Sequence, residues 1–471
     1  MNYNIELKEL PPYDVVVCGG GPAGCAAALA ARREGLSVLL LESTGQLGGM
    51  AVNGLVSQWL GGRTQEGEWV VGGLFRSLAQ EAESLGYALV PKLDPSKDYH
   101  PYGWYNWFIH GIPIDPYQMA AFLDEKMSAS GVQVLFFSRC VDAVVSEGRI
   151  THVVVSGPSG LSAIGARTFI DATGDAEVAF SAGCTTVKGR AQDGKMAPSS
   201  LIFHVYDVDT AELTAAIEKN RDPKFRDLIS RLREEGIWNY PYDIFICTRL
   251  TNEGEYFVNT IRLVGVDGTD SLSLSEGMVR GRKEVNSLMD VLRRYFPGFS
   301  EAKIKSVAPL LGIRETRRIS GDFVLTVEDL QTGASFDDTI GFSMYGWDLP
   351  DPDRPSVQPF ASDEKTGFKL KVKKSLYTPL PFRIMVPDKV TNLLCAGRIV
   401  SVEGQVLGPV RVMAPCMAMG EAAGAACAQA VSGDRIFQDI DIAGLKDRLR
   451  KYGCIVDENE LPVIYPRKDQ T

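Results

Sequence analysis

Residues 13–24 constrain this chain more than any other stretch. A β-branched run from Tyr13 to Cys18 stops at Gly19-Gly20-Gly21-Pro22-Ala23-Gly24, and an alanine-rich segment follows from Cys25 to Arg33. Gly35 ends that segment, and Ser37 to Leu41 is a second apolar run closing on Glu42. Periodicity and punctuation predict strand, helix, strand, with a glycine turn at the first junction. In that setting each glycine has a mechanical reason. Gly19 permits the tight turn, Gly21 lets backbone approach a pyrophosphate, and Gly24 lets helix and strand pack closely. The helix start, at Gly20, Pro22 and Ala23, then turns its positive dipole end and the free N–H groups of its non-proline residues to the phosphates. Glu42, with Ser43 after it, stands where a carboxylate accepts hydrogen bonds from a ribose. The motif reads as a dinucleotide site and does not choose between NAD and FAD.

Beyond this unit, residues 45–73 are rich in glycine and poor in periodicity, and Gly72 to Gly86 is helical in pattern. Val132 to Ile170 reads as three short strands divided by Ser146-Glu147-Gly148 and Gly157-Pro158-Ser159-Gly160, an antiparallel meander that exits into Asp171-Ala172-Thr173-Gly174-Asp175. Residues 195–375 mix strand-like runs with amphipathic helices and end in a polar loop from Leu349 to Lys374. Val390 to Gly397 is another apolar strand, and Arg411 to Ala430 is a helix built mostly from small residues. At 471 residues the chain exceeds the size at which single cores usually split. The expected fold class is α/β, a Rossmann-like dinucleotide domain with a parallel sheet and β-meander, interleaved with an α+β substrate domain. The expected boundaries are 1–194 and 377–440 for the first, 195–376 for the second, and 441–471 for a C-terminal tail.

Further segments join the fingerprint: Gly48-Gly49-Met50-Ala51, Val70-Val71-Gly72-Gly73, Ile170 to Ala179, Arg314-Glu315-Thr316-Arg317-Arg318-Ile319, Pro381-Phe382-Arg383, Ala396-Gly397-Arg398, Arg411-Val412-Met413 and Gly420-Glu421-Ala422-Ala423-Gly424. Through these the chain resembles the FAD-dependent oxidoreductases of the glutathione-reductase superfamily and is similar to the flavoprotein subunits of fumarate reductases. The resemblance implies noncovalent FAD, with Gly48, Gly49 and Met50 along the flavin and Val141 touching adenine through its backbone. It also implies that Thr173, Gly174 and Asp175 line the dinucleotide, and that Gly397, Arg398, Arg411, Val412 and Met413 seat the flavin from the C-terminal side. A helix N-terminus there stabilises the negative charge that develops on reduction. The implied activity is hydride transfer between a small organic substrate and FAD. Reduction of an activated double bond, and a flavin-binding electron-transfer module without substrate chemistry of its own, are the alternatives. Gly404 and Pro350 stand where many relatives carry histidines.

Candidate catalytic groups are few. Arg314 and Arg383, like Arg317 and Arg318, occur in apolar or glycine-containing motifs, and a planar guanidinium suits a carboxylate. Only His100, His110, His152 and His204 offer an imidazole. His110 is preferred because it follows the aromatic cluster Tyr99, Tyr102, Trp104, Tyr105, Trp107 and Phe108, which is placed to act as a lid. The net charge of -10 disfavours nucleic acid as a partner yet leaves room for a local basic pocket, so the expected substrate is a small molecule, anionic or a carbohydrate. Nine isolated cysteines with no CxxC pair give no metal site and no dithiol centre. The N-terminal MNYNIELKEL lacks the features of a signal peptide, and no apolar run reaches membrane-spanning length. The expectation is a cytoplasmic protein with no membrane partner, a monomer or homo-oligomer.

Overall fold

The computed structural model describes residues 6–64, 66–91, 111–353, 355 and 375–463. β1 (Lys8–Cys18), α1 (Pro22–Arg33) and β2 (Val38–Leu41) follow one another as the fingerprint requires, and Gly19 makes the turn at φ +103°. Next come α2 (Gly73–Ser84), α3 (Pro116–Ser130), β3 (Gln133–Leu135), β4 (Arg139–Ser146), β5 (Arg149–Gly157) and β6 (Gly160–Asp171). The span read as three strands thus holds four. Phe137, at φ +52°, interrupts the first of them, so that β3 joins β2 in parallel while β4 pairs antiparallel with β5.

A second sheet takes β7 (Phe203–Tyr206), β8 (Cys247–Arg249), β9 (Tyr256–Val258) and β10 (Lys303–Val307) in the order β8-β9-β7-β10. Its core gathers Phe203, Trp238, Phe245 and Phe299 with Leu288 of α4 (Ser271–Tyr295). The chain then returns to the first sheet through β11 (Leu393–Cys395) and α5 (Met413–Gly433).

β6 joins the meander to the parallel strands. It pairs antiparallel with β5 as far as Gly165, then parallel with β11 from Phe169 to Asp171, while β1 runs parallel along its other edge. The register sets Leu41, Cys18, Asp171 and Cys395 level with one another. The turns after these strands therefore converge at the carboxyl end of the sheet, where open α/β sheets bind ligands. The fold is α/β, a parallel-rich sheet extended by a β-meander.

Helix α5 is buried nearly throughout, which explains its composition. Side chains added at Gly420 and Gly424 would fall 2.0 Å and 2.3 Å from the carbonyl oxygens of Ala23 and Ala27, so only glycine lets α5 lie against α1. In the stretch read as a tail, a helix over Ile442–Lys451 buries Leu445 and Leu449 in the same core. Among the described residues no helix is long and apolar enough to cross a membrane.

Candidate active site

The glycine turn and its neighbours form a cradle whose packing separates the roles of its glycines. A methyl group on Gly24 would lie 1.8 Å from the carbonyl oxygen of Gly19, so this position is filled by the helix–strand contact. A methyl group on Gly21 would meet nothing nearer than Gly49 Cα at 3.9 Å. That open space lies before the start of α1, which has no side-chain cap, leaving its first N–H groups available to a ligand. Gly48 N–H donates to Gly20 O at 2.8 Å, tying the Gly48-Gly49-Met50 turn to the fingerprint. Glu42 is buried and accepts hydrogen bonds from Gly20 N at 2.8 Å and Thr44 N at 2.7 Å, and Ser43 Oγ reaches the same carboxylate at 3.3 Å. Oε2, which among the described residues accepts only from Gly20 N, retains a lone pair for a ribose hydroxyl, whereas Oε1 also accepts from Thr44 Oγ1 at 2.8 Å.

The opposite wall comes from β6 and β11. Asp171, fully buried, accepts from Thr173 Oγ1 and from the Val178 and Ala179 amides, which fixes the Thr173-Gly174-Asp175 turn. Arg398 then clasps that turn, donating to Gly174 O at 2.6 Å and to Asp175 at 2.8 Å. Gly397 turns at φ +97° beside Ala23 of α1. These residues fit a dinucleotide, with open backbone at the phosphates and a carboxylate at the ribose position. Val141 sits at a bulge in β4, half-exposed, a few residues beyond the Ser138 N–H to Glu42 O hydrogen bond that joins β4 to the end of β2.

From this cradle a cavity of about 800 Å³ opens toward the second sheet. Met50, Val412, Met413 and Arg398 line one part of it, and α5, like α1, begins there without a side-chain cap. Ile202, Ile244, Ile246 and Phe257 supply apolar walls. Polar groups from five distant segments meet between them: Ser200, Arg262, Arg314, Tyr345 with Asp348, and Arg411. Tyr345 donates to Asp348 Oδ2 at 2.8 Å, and Arg411 lies 3.4 Å from the same oxygen. Burial pushes the Asp348 carboxyl up, but Arg411, Arg314, the Tyr345 hydroxyl and Arg262 together outweigh it and hold the group below the ordinary carboxylate value. Burial, and then the Asp348 charge, raise Tyr345 well above the usual phenol value. Lys224, at the same cavity, is lowered to about 8, first by burial and then by Arg226.

Arg314 and Arg411 are thus brought to one cavity. Arg383 is not: it lies over the Phe323 ring at 4.3 Å, faces Asp338 at 3.4 Å, and lines a separate hollow with Phe336 and Phe437. Arg317 stacks on Phe180 and Arg318 pairs with Glu315, both holding loops in place. His110, His100 and the aromatic cluster lie outside the described residues. Pro350 lines the cavity, whereas Gly404 abuts Arg318. Ser200, Arg262, Tyr345 and Asp348 were not singled out from the sequence. The available signal for Arg262 was a lone arginine in the run Thr260-Ile261-Arg262-Leu263.

The curated relatives include a digeranylgeranylglycerophospholipid reductase 2 from Methanopyrus kandleri, 27% identical over 169 residues, 34% of this chain and 37% of the relative. Its namesake from Methanothermobacter thermautotrophicus is 30% identical over 179 residues, 37% of this chain and 43% of the relative. The matches span less than half the length of these relatives. Among solved structures, a geranylgeranyl bacteriochlorophyll reductase-like protein from Thermoplasma acidophilum superposes with a TM-score of 0.44 at 14% identity, over 93% of this chain and 82% of that one. The chain also matches, over residues 14–449, the family described as FAD dependent oxidoreductase. That match takes in the cradle, the cavity and both sheets: the chain belongs to the FAD dependent oxidoreductase family and is an enzyme that uses FAD.

Proposed function

We propose that this enzyme transfers a hydride between noncovalently held FAD and a small organic substrate lodged in the 800 Å³ cavity, the substrate being anionic rather than a carbohydrate. The observation that carries this reading is the cavity's composition. It begins on Met50, Val412 and Met413, the residues expected along the flavin, and continues onto Arg262, Arg314 and Arg411. In this reading residues 1–194 and 377–440 carry FAD and residues 195–376 supply most of the substrate walls. FAD, when bound, provides the two-electron chemistry at its ring. The chain contributes orientation through the arginines and exclusion of water through the isoleucine and phenylalanine walls. The uncapped start of α5 offers the Met413 N–H to developing negative charge, the Ala414 N–H being held by Leu60 O. Nine cysteines that all remain thiols support a cytoplasmic setting.

A second reading, reduction of an activated double bond as in fumarate reductases, draws support from Tyr345. Its hydroxyl lines the cavity and donates to Asp348 Oδ2 at 2.8 Å, a pair that would relay a proton to the substrate as it is reduced. The curated relatives are also named as reductases.

Anaerobic mixing tests the proposal. The FAD-loaded protein is exposed to a panel of saturated organic acids, and the photoreduced protein to unsaturated ones. Bleaching by the first set supports oxidation of substrate, and recovery of colour with the second supports reduction. A flavin indifferent to both sets refutes hydride exchange with an organic acid.

A further inference from the structure

We propose that Arg262 and Arg314 form a seat for a single carboxylate, and that the substrate is an organic acid whose hydrocarbon body lies along Ile244, Ile246 and Phe257. This rests on the hydride-transfer reading of the same cavity.

Both arginines line the cavity and both are buried, at 6% and 7% exposure. Their partners are neutral. Arg262 donates to Ser200 Oγ at 3.2 Å and to the carbonyls of Asn259 and Ile261 at 2.9 Å and 3.1 Å. Arg314 donates to Ser200 Oγ at 2.8 Å and to the carbonyl of Pro198. The two guanidinium groups thus share one hydroxyl oxygen, and among the described residues neither has a carboxylate within ion-pairing distance. Arg262 Nε makes no hydrogen bond at all among them. The neighbouring cations are treated differently: Arg398 has Asp175 at 2.8 Å and Arg411 has Asp348 at 3.4 Å.

A guanidinium keeps its proton under all ordinary conditions, so Arg262 and Arg314, meeting in a buried wall beside Arg411, leave a positive charge that the single Asp348 carboxylate, already paired with Arg411, offsets only in part. Burial and mutual repulsion both work against that arrangement; burial first, then Arg262 and Arg411, press the Arg314 group well below its ordinary value. An anion entering the cavity relieves both. The planar fork of each arginine matches the two oxygens of a carboxylate, and the apolar walls select an acid with a hydrocarbon body over a free inorganic ion.

The test is calorimetric titration of the FAD-loaded full chain with 4-phenylbutyrate, with neutral 4-phenylbutyramide and with phenyl phosphate. The carboxylate is expected to bind about 30-fold more tightly than the amide, the effect of one or two hydrogen bonds to a charged group, and more tightly than the phosphate. Arg262→Lys and Arg314→Lys keep the charge, lose the fork, and should each shrink the acid-to-amide ratio about tenfold. Equal affinity for acid and amide, no binding of either, preference for the phosphate, or an unchanged ratio in both variants overturns the proposal. If a variant does not fold, the comparison of ligands on the unaltered protein still decides. FAD retention is read on the same samples. A protein that cannot hold FAD defeats the hydride-transfer reading, whereas one that keeps FAD and binds acid and amide alike defeats only the carboxylate seat.

Discussion

Gly21 and Gly24 stand three residues apart in one turn, yet their replacement by alanine should have opposite consequences. At Gly24 the new methyl group would sit 1.8 Å from Gly19 O, 3.0 Å from Gly19 C and 3.3 Å from Ala172 Cβ. These are backbone atoms or a buried methyl, so α1 must move away from β1, an overpacking cost of about 3 kcal/mol or more. At Gly21 the backbone is extended (φ -73°, ψ -176°), which alanine adopts freely, and the nearest atom is 3.9 Å away. Loss of a good helix cap and reduced freedom of the unfolded chain nearly offset each other, leaving stability within about 1 kcal/mol of the unaltered protein. The methyl group would instead occupy the space before the helix N–H groups. Displacing a phosphate from one of them costs about 1.5–3 kcal/mol, a 10- to 100-fold weaker affinity for FAD. Thermal unfolding of the apoproteins and fluorescence titration with FAD separate the two effects. Gly24→Ala should melt several degrees lower, and Gly21→Ala should melt normally and bind FAD poorly. Normal FAD affinity in Gly21→Ala would refute the assignment of this turn to the phosphates.

Arg383→Ala should leave turnover unchanged and alter stability by no more than about 1 kcal/mol, because a half-exposed arginine held by Asp338 and Phe323 lies away from the cavity; a large loss of kcat in steady-state assays would show otherwise. Acidification should destabilise the chain through His204, which is buried with Nε2 3.1 Å from the Leu55 carbonyl and lowered to about 4 by burial. The unfolded chain takes up this proton near pH 6.5, so the stability is whole above that pH and declines as pH falls toward 4, by about 2 kcal/mol between pH 7 and 5. Urea titrations at the two pH values measure this decline, and His204→Gln should flatten it. Glu421→Gln should cost about 2 kcal/mol in thermal unfolding with FAD content preserved, since this buried carboxylate pairs with Arg33 at 2.8 Å and caps α2 through Leu74 N at 2.7 Å.

The parts of the fold that the sequence made legible are those whose reasons are local. The alternation of apolar runs with glycine marks β1, α1 and β2 directly, and Gly24 is required by its contact with Gly19 five residues away, although Gly19 itself is required by Ala172, which follows β6 far along the chain. The break between β3 and β4 is not legible because no glycine or proline marks it: Phe137 takes the positive φ there instead. The cavity was harder still. Ser200, Arg262, Arg314 and Asp348 are separated by dozens of residues, and they meet only because β7, β9 and the chain before β11 turn toward the carboxyl end of the first sheet. Arg383 was selected by the same criterion as Arg314, a cation in an apolar motif. The structure shows why that criterion is ambiguous: aromatic rings hold one guanidinium at the surface, and a shared serine holds the other inside.

The central claim is tested most directly by the absorption spectrum of the purified protein, followed by acid precipitation to release its chromophore. The account expects an oxidised-flavin spectrum and intact FAD in the supernatant at about one equivalent per chain. A colourless protein that takes up no added FAD would contradict it.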